Sequence, residues 1–194
     1  MPAKALLCDL QGYADAIVQE QGVPALSIAI WQSKMLHSAA SGTLNIETGV
    51  EATVDSVFQI GSISKAFTAS LIMLLVDDGK VELDTPIKRY LPSFHVLDQE
   101  ATENITLRHL LSHTSGLVSG FSFCHDDTYE EGNAIARYVD RCFLLPQVHH
   151  EIGKRFSYSN SGYVIAGRVI EVVLGIPFRK AIEDYIFNTL GMKK

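Results

Sequence analysis

The stretch from Ser62 to Asp78, bracketed by Gly61 and Gly79, limits the folds open to this chain more than any other. Phe67, Leu71, Ile72, Leu74, Leu75 and Val76 place apolar side chains on nearly every face of a helix, and a helix apolar all round belongs inside a core. Other elements must therefore wrap it. The 194 residues, 47% hydrophobic and 20% charged, supply enough chain for one substantial core. Disordered and fibrous classes fall away on that composition.

The flanking sequence says what wraps it. Leu10, Tyr13, Ala14, Ile17 and Val18 recur at helical spacing between Asp9 and Glu20, and Gly22 and Pro24 then stop the helix. From Ala25 to Thr43, two apolar runs around the polar break Gln32-Ser33-Lys34 predict a β-hairpin. Beyond the central helix come a segment started by Pro86, a short helix near Thr106 to Leu111, and a polar loop from Thr114 to Ser122. Helical patterns follow at Asn133 to Cys142, Gly162 to Leu174 and Pro177 to Leu190. The expected fold class is α/β in the α+β sense, an antiparallel sheet flanked by helices. Residues 1–55 carry the helix and hairpin, and residues 56–194 form a mainly helical part; no linker, repeat or low-complexity tract separates them.

The formal net charge is −6 and no long Lys/Arg run occurs, so the footprint of a nucleic-acid or anionic-membrane binder is missing. Three cysteines, Cys8, Cys124 and Cys142, are too few and too odd for a disulfide framework. Ala5 to Cys8 is too short an apolar run for a signal peptide, and Ala69 to Val76 is far below the roughly 20 residues that span a bilayer. These features set the expectation of a cytoplasmic protein.

Ser62-Ile63-Ser64-Lys65 is a Ser-x-x-Lys pattern, of which a chain this long should hold on the order of one by chance. Its place at the mouth of the central helix gives it weight. A helix-capping Ser62 is the simplest explanation, but a capping box wants Glu or Gln three residues on. Lys65 stands there instead, a cation near the positive end of the helix dipole, disfavoured by roughly 0.3–1 kcal/mol. Catalysis accounts for it: an amine one turn from a serine hydroxyl can take its proton, and the Ser62 amide at the helix start can stabilise an oxyanion.

Tyr158 and Asn160, two apart in the polar turn Ser157 to Ser161, can both face a cleft. A phenol beside a lysine can serve as a general base, and an Asn amide can hold that lysine and a substrate carbonyl. The plainer alternative is a packed tyrosine ring followed by residues that cap the next helix. His109 and His113, at i and i+4, raise a metal question, as do Cys124-His125 and His149-His150. No zincin Glu lies between the first pair, and interaction with a helix C-terminus accounts for His113, so neither a metal nor a cofactor is expected. No Gly-x-Ser-x-Gly elbow, phosphate loop or dinucleotide fingerprint is present.

In this order, Phe58-Gln-Ile-Gly-Ser-Ile-Ser-Lys65, Leu83-Asp-Thr-Pro-Ile87 with Tyr90-Leu-Pro92, His109-Leu-Leu-Ser-His-Thr-Ser-Gly-Leu117, and Tyr158-Ser-Asn160 with Gly162-Tyr163 closely resemble class C β-lactamases and their penicillin-binding-protein relatives. Those relatives include D-specific peptidases, family VIII-type esterases and some acyltransferases. The resemblance implies a β-lactamase/transpeptidase-like fold with a helical subdomain. It also implies Ser62 as acylated nucleophile, Lys65 and Tyr158 as the proton-transfer pair, and Asn160 as an orienter that binds substrate. The implied substrate is a small ester, amide or β-lactam, opened through an acyl-enzyme. The family's third motif, Lys-Thr-Gly or a variant, does not occur. The closing strands of the sheet are therefore expected to be missing, leaving an unpaired edge and calling for a C-terminal fragment or second chain as partner. An acyltransferase, or a non-catalytic binding protein on the same fold, stands as the alternative.

Overall fold

The computed structural model describes residues 9–120 and 134–192, and the chain divides into two units between Gln59 and Ile60. Cys8, Cys124, His125 and Asn133 lie outside the described residues.

In the first unit, helix α1 spans Leu10–Gln21. The Asp9 carboxylate accepts the Gly12 amide at 2.9 Å, and the chain leaves the helix through Gly22 in the left-handed region. Strands β1 (Ala25–Gln32) and β2 (Met35–Asn45) form the expected hairpin, in register from Ala25↔Gly42 to Gln32↔Met35. The turn is shorter than the polar break suggested, because Gln32 still pairs. Ser33 and Lys34 carry it alone, both at positive φ (51° and 66°), the arrangement whose twist matches the strands. Leu10 and Ala14 of α1 are buried against Ala39, with Leu26, Ile28 and Ile30 packed around them. Gly42 cannot be replaced without strain: its φ is +88°, and a Cβ there would lie 2.2 Å from the Pro24 carbonyl oxygen.

A short strand the sequence did not announce, β3 (Val50–Glu51), pairs with β2 across a bulge, giving the order β1-β2-β3. Two residues carry too little periodicity to be read. Among the described residues β1 is an edge strand of this sheet, and Trp31, Met35 and Leu36 are exposed.

The second unit is helical. A 3₁₀ turn, Gly61–Ile63, leads into α2 (Ser64–Asp77). Then follow a 3₁₀ turn at Ile87–Arg89, α3 (Gln99–Asn104), α4 (Leu107–Leu111), α5 (Ala134–Asp140), α6 (Asn160–Leu174) and α7 (Phe178–Ile182). A π-helical turn, Glu183–Phe187, and α8 (Asn188–Leu190) complete it. Leu71, Ile72 and Leu75 of α2, Leu107 and Leu110 of α4, and Ile165, Val169 and Ile170 of α6 are buried in one core with Phe94 and Leu117.

Two expectations need correction. The central helix is not covered all round, since Met73 and Leu74 remain about two-fifths exposed. Composition reveals that a face is apolar, not that something lies against it. Nor does Ser62 open the α-helix. Gly61, at φ +53°, turns the chain into the tighter 3₁₀ coil that contains Ser62, and no side chain caps either helical segment.

The Leu83-Asp-Thr-Pro-Ile87 motif has a structural task. The Ile87 amide donates to the Ile105 carbonyl (2.8 Å), and the Arg108 amide donates to the Leu83 carbonyl (2.9 Å). The Arg108 guanidinium grips the Asp84 carboxylate through two bonds of 2.6 and 2.8 Å. This fastening fixes α4, whose far end leads into the His113 loop.

Among the described residues no single helix is long and apolar enough to cross a membrane. None of their His, Cys, Asp and Glu side chains cluster in threes suited to a metal.

Candidate active site

Four side chains singled out in the sequence converge in the second unit. Ser62 Oγ lies 2.6 Å from the Tyr158 hydroxyl, and Lys65 Nζ donates to Ser62 Oγ at 3.1 Å and to Asn160 Oδ1 at 2.6 Å. The ammonium also stands over the rings of Tyr158 (4.9 Å to the centroid) and Tyr163 (5.6 Å). Lys65 therefore bridges Ser62 and Asn160 while lying against the Tyr158 phenol.

Local structure explains the convergence. Ser62 and Lys65 are three apart across the passage from 3₁₀ to α-helix, which keeps them on one face. Tyr158 lies in the extended approach to α6, and Asn160 is the first residue of that helix. Between them Ser159, fully buried, is the N-cap: its Oγ accepts the Gly162 amide at 3.3 Å. Capping with Ser159 frees its two neighbours to point elsewhere. Helix α6 is held against α4 by the Tyr163 hydroxyl, which donates to the Leu111 carbonyl at 2.8 Å.

Electrostatics favour an ionisable phenol. The neighbouring Lys65 holds the Tyr158 hydroxyl below its usual range, helped by the hydrogen bond with Ser62 and opposed by slight burial. Burial pushes the nearby Tyr163 phenol upward instead. Of the two tyrosines beside Lys65, the one touching Ser62 is the one readied to lose a proton. The Ser62 amide belongs to the first amides of the helical run, which have no intrahelical acceptor, so a backbone donor stands beside the Ser62 hydroxyl.

Two contributors were not legible in the sequence as parts of the site. Ser119 Oγ accepts both the Asn160 amide N–H (3.1 Å) and Asn160 Nδ2 (2.9 Å), which turns Oδ1 toward Lys65. Forty-one residues separate the pair, so no local spacing could reveal it. His113 is the second. It does not act as a charge at a helix end: its backbone is left-handed (φ 59°), and its Nδ1 accepts the Ser159 amide at 3.1 Å, which requires a neutral ring. Burial, and then the charge of Lys65, hold its pKa below the ordinary histidine value. His109 has a structural task. Its Nδ1 accepts the Thr106 amide, while Thr106 Oγ1 accepts the His109 amide, a capping box with imidazole in place of the usual carboxylate.

This arrangement of serine, lysine, tyrosine and asparagine, in a helical unit of a chain that also bears an antiparallel sheet, defines a class of protein. The β-lactamase family profile matches residues 10–194, and the chain belongs to that family. It is 41% identical over 178 residues to penicillin-binding protein 4 of Amycolatopsis lactamdurans, covering 92% of this chain and 46% of that protein. The D-amino acid amidase of Ochrobactrum anthropi SV3, solved with L-phenylalanine amide, superposes with a TM-score of 0.79 at 33% identity, over 97% of this chain and 52% of the amidase. A class C β-lactamase from Rhodobacter sphaeroides gives 0.68 at 25% identity, over 92% of this chain and 47% of that enzyme. The chain thus spans about half the length, or less, of the proteins it matches.

Proposed function

We propose that this chain carries the nucleophilic half of a serine hydrolase that opens an ester or amide through an acyl-enzyme on Ser62. The 2.6 Å contact between Ser62 Oγ and the Tyr158 hydroxyl carries the reading. In the reactive form the phenol is ionised and Lys65 is the cation that stabilises it. As Ser62 Oγ bonds to the substrate carbonyl carbon, its proton passes to the Tyr158 oxygen, and the carbonyl electron pair moves onto oxygen under the Ser62 amide. Collapse of this intermediate breaks the bond to the leaving amine or alkoxide, which takes the proton from Tyr158. Water then repeats the sequence, giving a carboxylic acid and restoring Ser62. Asn160, turned by Ser119, holds Lys65 through its Oδ1.

Two relatives support a substrate class: by their names, one is an amidase of D-amino acids and the other a protein that binds penicillin. A compact acyl donor of amide, ester or β-lactam type is the substrate proposed here. The Ser62 amide offers one oxyanion donor for this chemistry. The test is covalent: a fluorophosphonate and a penicillin should each add their mass to the peptide containing Ser62, and Ser62→Ala should abolish both adducts. Labelling that persists in Ser62→Ala would sink the proposal.

A further inference from the structure

His113 makes more contacts with the Tyr158 loop than a loop residue needs. Its carbonyl accepts the Ser157 amide at 2.8 Å and its ring Nδ1 accepts the Ser159 amide at 3.1 Å, so it holds the amides on both sides of Tyr158. Its ring tilts at 32° against the Tyr158 ring with centroids 4.5 Å apart, and it also meets Tyr163 at 5.2 Å and Phe156 edge-on at 5.6 Å. Among the described residues only Ser33 and Lys34, at the hairpin turn, share its positive φ without being glycine. A left-handed histidine costs more than a glycine would, and such strain persists where surrounding structure demands it.

We propose that His113 is the positioning residue of this site, fixing the height and plane of the Tyr158 phenol against Ser62 through two backbone bonds and one ring face. This rests on reading Tyr158 as the base for Ser62. The clamp works only while Nδ1 is an acceptor. A proton there would turn a donor toward the Ser159 N–H and place a second cation beside Lys65. The described charged or titratable groups facing the ring are Lys65 from α2, Tyr158 from the loop and Tyr163 from α6; none is a carboxylate, and once acid has protonated the Tyr158 phenol no anion is left to pair with the imidazolium. Acidification therefore releases the loop.

Two substitutions separate the parts. His113→Phe keeps the ring face and removes the acceptor; His113→Asn keeps an acceptor and tolerates positive φ but removes the titrating ring. The readout is the rate constant for acylation by p-nitrophenyl acetate between pH 4 and 9. In the wild type the logarithm of that rate should fall with a slope of one where Tyr158 alone titrates, steepening to two where His113 also protonates. His113→Asn should keep a slope of one throughout, with a smaller rate loss than His113→Phe, whose acylation should drop about 100-fold with little change in KM. Wild-type acylation by His113→Phe overturns the proposal. So does a persistent slope of two in His113→Asn, a measurement that stands if the Phe variant fails to fold. Tyr158→Phe runs alongside: undiminished acylation there refutes the assignment of the base, an outcome distinct from failure of the clamp.

Discussion

At the residue scale the site works by distributing one positive charge. Lys65 touches Ser62, Asn160 and two aromatic rings, and it is the largest cause of the lowered Tyr158 pKa. Because that shift is downward, acylation should rise with pH through the phenol's titration and level off above it. Lys65→Met removes the main cause of the shift, so the rise should move toward the ordinary tyrosine value of about 10, and at neutral pH the rate should fall by roughly 10²–10⁴-fold. Stopped-flow acylation across pH checks both; a rate loss with an unmoved limb would show that Lys65 positions groups without tuning the phenol. Ser62, Lys65, Tyr158 and Asn160 were legible because each sits in a short ordered motif. Ser119 and the clamping role of His113 were not, because both depend on backbone amides 41 and 46 residues away.

At the scale of elements, the boundary between helix and turn is where sequence and structure part. Periodicity located α1, the hairpin and α6 because each buries a stripe of regular spacing. It could not tell that Ser62 lies in a 3₁₀ turn, since i,i+3 spacing is common to both coils. The strand β3 and the division of the last helical stretch by a π turn have no compositional signal at all. The pairing of α4 with α6 matters most for the site. Leu110 of α4 is fully buried, and its carbonyl oxygen lies 3.3 Å from where a Cβ on Gly162 of α6 would sit. Leu110→Ala should destabilise the unit by about 2–5 kcal/mol, measured by urea unfolding, and slow acylation by loosening the Tyr158 approach. Stability lost without any change in acylation would uncouple this packing from the site.

At the scale of the whole molecule, two half-buried histidines should give the second unit an acid weakness. His109 and His113 both have folded-state pKa values lowered chiefly by burial, against about 6.5 when exposed. Just below that pH the unfolded chain binds more protons than the folded one, so stability is complete above about 6.5 and declines as pH falls. Thermal unfolding midpoints should drop between pH 7 and 5, and a double His109→Asn/His113→Asn variant should flatten that dependence. The exposed apolar residues of α2 and the open edge of β1 were foreseeable only in part. The missing motif pointed to an unpaired strand, whereas the uncovered side of α2 depends on what packs there.

The contact between Ser62 and Tyr158 closes a loop of 96 residues. Ser62 leads into α2 and Tyr158 into α6, so hydroxyl and phenol meet once those two helices have docked, and a contact of such sequence separation is expected among the later ones to form. Competence to be acylated is therefore a clock for the second unit: a reactive ester added at intervals after dilution from denaturant would report when this long-range contact forms, while the signal from helix formation would already have run its course.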